Sequence, residues 1–357
     1  MKKLLAGFIS LLLLGAGLLA AVASSTPAVA RDRERAEIFA VLPEGATGPE
    51  GLTVGPHGDV YVTTFGFNSL GEVAGPGQLF VFDRHGRLLR QVGVQGSSSH
   101  LLGLAFHPTT HALLVIDFGA GKVLTVNSHT GAASDFMTVP GAGAGLNALT
   151  FDKDGDVYVS DSFRGIIWKT GPNGGEAEAW AASPLLVPFA STLPGVSAVP
   201  PFGANGLQFN KKHDALFVAN TANDQIIRIP VNNGTPGAPG IFVNSINGAD
   251  GLVIDRHDNI WVAANQADEI VVMDPTGKVI AKLGDFDGLS RNGTPRGLLF
   301  PASPDFSRDG EFLYVTNLAL DIRLFGLTQS VDSQWTAQVR RYTISKIRAR
   351  LPGADHD

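Results

Sequence analysis

The chain has 357 residues and no cysteine, which excludes disulfides, thiolate metal sites and a thiol nucleophile. With Gly 43, Pro 21 and only 17% charged residues, it suits many short strands and tight turns better than long helices. The net charge of −6 falls to about −8 without Lys2 and Lys3, which argues against nucleic acid or an anionic membrane as partner.

The first 30 residues have the layout of a secretory signal peptide. Lys2 and Lys3 precede the apolar run from Leu4 to Ala23, and Ala28-Val29-Ala30 offers a small-x-small cleavage site before Arg31-Asp32-Arg33. The apolar run is nearly long enough to be an uncleaved anchor instead. Cleavage predicts a secreted or periplasmic protein with no membrane association afterwards.

From there one phrase recurs six times: a leading residue, Gly-Leu or a close variant, an apolar strand, a polar turn and a second strand. The copies open at Glu50 (EGLTVGPHGDVYVTT), Leu102, Asn147 (NALTFDKDGDVYVSD), Asn205, Asp250 (DGLVIDRHDNIWVAA) and Arg296 (RGLLFPASPDF). Intervals of 45 to 58 residues match one four-stranded blade. The spacing predicts an all-β, six-bladed β-propeller over residues 31–347, with a flexible tail over 348–357. Further strands are expected at Gln78 to Asp83 and Leu88 to Val94 in blade one, and at Glu269 to Asp274 and Lys278 to Leu283 in blade five. The sixth copy has one good later strand, Gln338 to Ile344, so Ala36 to Leu42 is expected to complete that last blade and hide the open edges.

Several tempting motifs have plainer explanations. Asp152-Lys153-Asp154-Gly155-Asp156 looks like part of an EF-hand loop, but Phe163 stands where the bidentate Glu belongs, so a tight hairpin is expected. His57, His85, His111, His213 and His257 fall in such turns and read as surface. The run Gly141 to Gly145 lacks nucleotide-binding spacing.

In a propeller the innermost strands line the axis, so their leading residues converge. Glu50, Asn147, Asn205 and Asp250 would bring four hard oxygen donors together, a set that favours Ca²⁺ or another divalent cation. The plainer alternative is that each caps its own strand. Pro49-Glu50-Gly51, Leu146-Asn147-Ala148-Leu149, Ala204-Asn205-Gly206-Leu207 and Ala249-Asp250-Gly251-Leu252 resemble the senescence marker protein/gluconolactonase family, as does Val157-Tyr158-Val159-Ser160-Asp161-Ser162. The resemblance spans about residues 45 to 320. It implies a six-bladed propeller and a catalytic Ca²⁺ held by Glu50, Asn147, Asn205 and Asp250. It also makes Asp250 the acting carboxylate in hydrolysis of a small-molecule lactone or ester.

Two ring members depart from that pattern. Arg296 would either pair with Glu50 and weaken a metal or receive an anionic substrate, and Leu102 would make one side apolar. His100 lies near the same face as a candidate proton shuttle. Asp117, Asp161, Asn220 and Asn317 end second strands and are expected as turn caps and supports of the ring. The insertions at 65–77, 181–204 and 318–335 could roof the site. The apolar middle one could instead dock a protein partner, as in a non-catalytic NHL-like binding propeller.

Overall fold

The computed structural model describes residues 33–188, 201–325 and 332–351. The expected signal peptide and the centre of the 181–204 insertion lie outside these residues. The described residues from Glu34 onward form one compact unit. Among the described residues no helix is long and apolar enough to cross a membrane.

Six antiparallel sheets each begin with an innermost strand A followed by its hairpin partner, strand B. The A strands are Pro49–Val54, Leu101–Phe106, Leu146–Phe151, Ala204–Phe209, Ala249–Ile254 and Pro301–Phe306. The B strands are Val60–Thr64, Leu113–Asp117, Val157–Asp161, Ala215–Asn220, Ile260–Ala264 and Phe312–Asn317. Neighbouring A strands pack against one another in order, and blade six packs back on blade one. The predicted outer strands are present at Gln78–Phe82, Leu88–Gly93, Glu269–Met273 and Val279–Leu283.

Blade six consists of Pro301–Phe306, Phe312–Asn317, Thr343–Arg348 and, outermost, Glu37–Val41. The N-terminal strand thus closes the ring, as the repeat count predicts. Its partner runs further toward the C-terminus than expected. Arg348 ends the strand, Ala349 N–H donates to Glu311 O, and Ala349 and Leu351 pack on the Trp261 cluster. The tail therefore does not begin at residue 348.

The Gly of the repeated phrase has a steric cause. A Cβ on Gly206 would lie 2.6 Å from Asp250 O, and one on Gly251 2.6 Å from Ala302 O. In four blades the A strands meet so closely at the axis that only a bare Cα fits there, at Gly51, Gly103, Gly206 and Gly251, whereas Ala148 and Ser303 hold this place in blades three and six. The following Leu turns outward into cores shared between blades, such as Leu252 with Phe217 and Val262. Aspartates cap the A–B turns of blades three and five. Asp152 Oδ1 accepts from the N–H groups of Asp154 and Asp156 at 3.0 Å, which makes that segment a hairpin turn.

The sixth A strand lies elsewhere than expected. Arg296 belongs to a small hairpin, Pro295–Gly297 with Phe286–Leu289, is exposed, and donates from Nη2 to Asp287 O. The strand itself starts at Pro301, paired with Asn317 just as Pro49 pairs with Thr64. Prolines at 301 and 304 read as strand breakers, yet strand A is an edge strand of its sheet and its free side needs no N–H.

Candidate metal centre

Every A strand has a register break spanning its second residue: between Pro49 and Leu52, Leu101 and Leu104, Leu146 and Leu149, and likewise in blades four to six. Such a bulge re-aims one side chain. The residues so placed are Glu50, Leu102, Asn147, Asn205, Asp250 and Ala302, all buried. Arg296 is therefore not in the ring; the sixth member is Ala302. No basic side chain among the described residues lines the cavity at these positions, and its volume is about 30 Å³.

A second tier stands directly after the B strands: Phe65, Phe118, Ser162, Thr221, Asn265 and Leu318. It is polar in blades three to five and apolar in blades six, one and two. In the polar half each ring residue has a partner. Asn147 Nδ2 donates to Ser162 Oγ (3.3 Å), Asn205 Nδ2 to Thr221 Oγ1 (3.0 Å), and Asn265 Nδ2 to Asp250 Oδ2 (2.9 Å). Ser162 Oγ and Thr221 Oγ1 pass the link to the next blade, donating to Ala204 O (2.6 Å) and Ala249 O (2.7 Å). With their nitrogens turned to these hydroxyls, the amide oxygens of Asn147 and Asn205 are left as acceptors.

Glu50 sits in the apolar half, with Phe65 at its second-tier position. Its Oε2 is buried without a hydrogen-bond partner, as is Asn265 Oδ1. Burial, then the nearby Asp250 carboxyl, hold the Glu50 pKa well above the carboxylate range. Burial also pushes Asp250 up to about 7, against the lowering effect of hydrogen bonds from Asn265, Asn205 and Gly251 N. Two buried carboxyls, two carboxamide oxygens and a small cavity match what a hard cation requires. Among the described residues no three His, Cys, Asp or Glu side chains gather as a metal cluster, because the ring holds only two carboxyls.

The remaining expected site residues fall elsewhere. Leu102 lines the cavity. His100 does not: Nδ1 bonds Phe65 O at 2.6 Å, Nε2 bonds Glu72 Oε1 at 3.1 Å, and the ring stacks on Phe67. Neither nitrogen is left for a shuttle. Asp117 accepts from Ser98 N, Ser98 Oγ and Ala120 N; Asp161 accepts from Gly145 N and Trp168 Nε1; Asn220 donates to Leu185 O and Val187 O. They secure loops, as does Asn317 through Leu299 N. The direct supports of the ring are their neighbours Ser162 and Thr221, with Asn265.

Residues 201–284, which contain blades four and five, match the family model described as SMP-30/Gluconolactonase/LRE-like region. The resemblance seen in the ring motifs holds there. Solved structures share the fold over nearly the whole chain. A luciferin-regenerating enzyme has 14% identity and TM-score 0.62, over 88% of this chain and 95% of its own. A calcium-binding regucalcin from Agrobacterium tumefaciens has 15% and 0.60, over 89% and 96%. A gluconolactonase from Xanthomonas campestris has 13% and 0.59, over 90% and 96%. At such identities the likeness is one of fold. No curated protein matches the chain.

Proposed function

We propose that the protein is an exported, Ca²⁺-dependent hydrolase of a small lactone or ester. The observation that carries this reading is Glu50 Oε2, buried and unpartnered in a cavity shared with Asp250. A buried acceptor of this kind is costly unless something cationic or hydrogen-bonding meets it. Glu50, Asn147, Asn205 and Asp250 would hold the cation. Kinship in fold with a calcium-binding regucalcin and a gluconolactonase supports the same reading, and the leader sequence supports export.

When bound, the cation would supply a Lewis acid that polarises a carbonyl oxygen. Asp250, oriented by Asn265, takes a proton from the attacking water. The water oxygen bonds to the acyl carbon and the acyl–oxygen bond breaks. The proton passes to the departing alkoxide, so a lactone yields a hydroxy acid. Asn205 holds Asp250 from the other side and Thr221 fixes Asn205, so the carboxylate has one orientation.

One observation favours a second reading. Phe65, Phe202, Leu318 and Leu320 line the cavity with hydrocarbon, which suits a structural cation in a binding propeller. Calorimetric titration of chelator-stripped protein with Ca²⁺, followed by lactone and ester assays, separates the two. One-site binding with turnover upholds the hydrolase. Binding without turnover supports the binding propeller, and no binding overturns the metal centre.

A further inference from the structure

We propose that the site selects an apolar substrate, a lactone or ester bearing a hydrocarbon chain or aryl group, through the aromatic side chains at its mouth. This rests on the hydrolase reading and names its substrate class. Among the described residues, apart from the polar ring and second-tier residues, the cavity walls are hydrocarbon: Phe65, Leu102, Phe202, Phe300, Leu318 and Leu320. The second tier contributes Phe118, edge-on to both Phe65 (5.7 Å) and Phe202 (6.2 Å).

This surface continues to solvent on two sides. Phe202 stacks with Phe163 at 5.9 Å, and Phe163 is 45% exposed. Phe65 stacks with Phe325 at 6.3 Å, and Phe325 is 39% exposed. The amide and hydroxyl donors that reach the cavity already serve Ser162, Thr221, Ala249 O and Asp250. With the oxygens of Glu50, Asn147, Asn205 and Asp250 taken by the cation, a polyhydroxylated ring would give up hydrogen bonds to water and find Asn265 Oδ1 as the free acceptor left among the described residues. A hydrocarbon group gives up none and gains from burial. The cavity is small, with room for only a few water molecules. Only the reacting group fits beside the ring, and the rest of the substrate lies on the phenyl rings.

The test compares kcat/KM of the mature, Ca²⁺-loaded protein for δ-decanolactone and for glucono-δ-lactone. The decanolactone is expected to be preferred about tenfold or more, and Phe163→Ser and Phe202→Ser to shrink that ratio mainly through KM. Phe163 is half-exposed, so its variant keeps the test valid if Phe202→Ser fails to fold. Preference for the sugar lactone, or a ratio unchanged in Phe163→Ser, overturns the proposal while leaving a hydrolase. If neither lactone is hydrolysed, the hydrolase reading fails, and calorimetry with δ-decanolactone decides the apolar site. Binding weakened by Phe163→Ser upholds it, and absence of binding overturns it.

Discussion

Glu50 and Asp250 stand on blades one and five, and the residue of the intervening blade, Ala302, brings only a methyl to the ring. Glu50 therefore meets the charge of Asp250, and among the described residues no basic side chain lines the cavity between them.

Asp250→Asn in chelator-stripped protein removes one of these charges. The folded-state pKa of about 7 lies above the ordinary 3.8, so the folded chain holds a proton that the unfolded chain releases. Stability from this group is present at low pH and lost as pH rises through 7. Calorimetry at pH 8 should show the variant melting several degrees above the stripped parent, while the Ca²⁺ isotherm disappears. A variant that still binds Ca²⁺ with parental affinity would remove Asp250 from the centre.

Asp268 and Asp332 form a second buried carboxyl pair, on blade five and on the segment after the 318–325 cover. Phe300 N–H donates to Asp268 Oδ1 at 2.7 Å. Burial first, then Asp332, raise Asp268 to about 8. The same sign applies: the pair's contribution is intact below pH 4 and declines as pH rises through 8. Asp268→Asn should flatten the decline of melting temperature between pH 6 and 9. An unchanged slope would show that the pair does not share a proton.

Thr221→Val cuts the link from Asn205 Nδ2 to Ala249 O. Unmet buried groups of this kind cost about 1–3 kcal/mol. Denaturant unfolding should register that loss, and Ca²⁺ affinity should fall because Asn205 is free to turn. Loss of stability with unchanged affinity would confine Thr221 to holding the blades.

Arg296→Ser should change stability by no more than about 0.5 kcal/mol and leave Ca²⁺ affinity untouched, since Arg296 is exposed and bonds Asp287 O at the surface. A tighter isotherm would return Arg296 to the ring.

The propeller was legible because close approach at the axis imposes Gly at the same place in four blades, Gly51, Gly103, Gly206 and Gly251. The five ring positions from Glu50 to Asp250 followed from that phrase. Blade six misled because Arg296-Gly297-Leu298 imitates it, while Gly297 in fact occupies a hairpin at φ 76°. Asp161 and Asn220 drew attention as polar strand ends. Their neighbours Ser162 and Thr221 touch the ring instead, since alternation along an extended chain sends successive side chains opposite ways. Asn265 was hidden because it follows Ala264, with no polar strand end to mark it.

The closure of blade six also orders events during synthesis. Glu37–Val41 is made long before its partner Thr343–Arg348. Until then blades one to five form an open crescent, with blade one facing no neighbour on one side. Glu50 and Asp250 cannot be brought to a common axis in that crescent. Assembly of the ring that holds Glu50 and Asp250 therefore depends on both strands of the closing pair, and any truncation that removes either one should disrupt that ring at a distance.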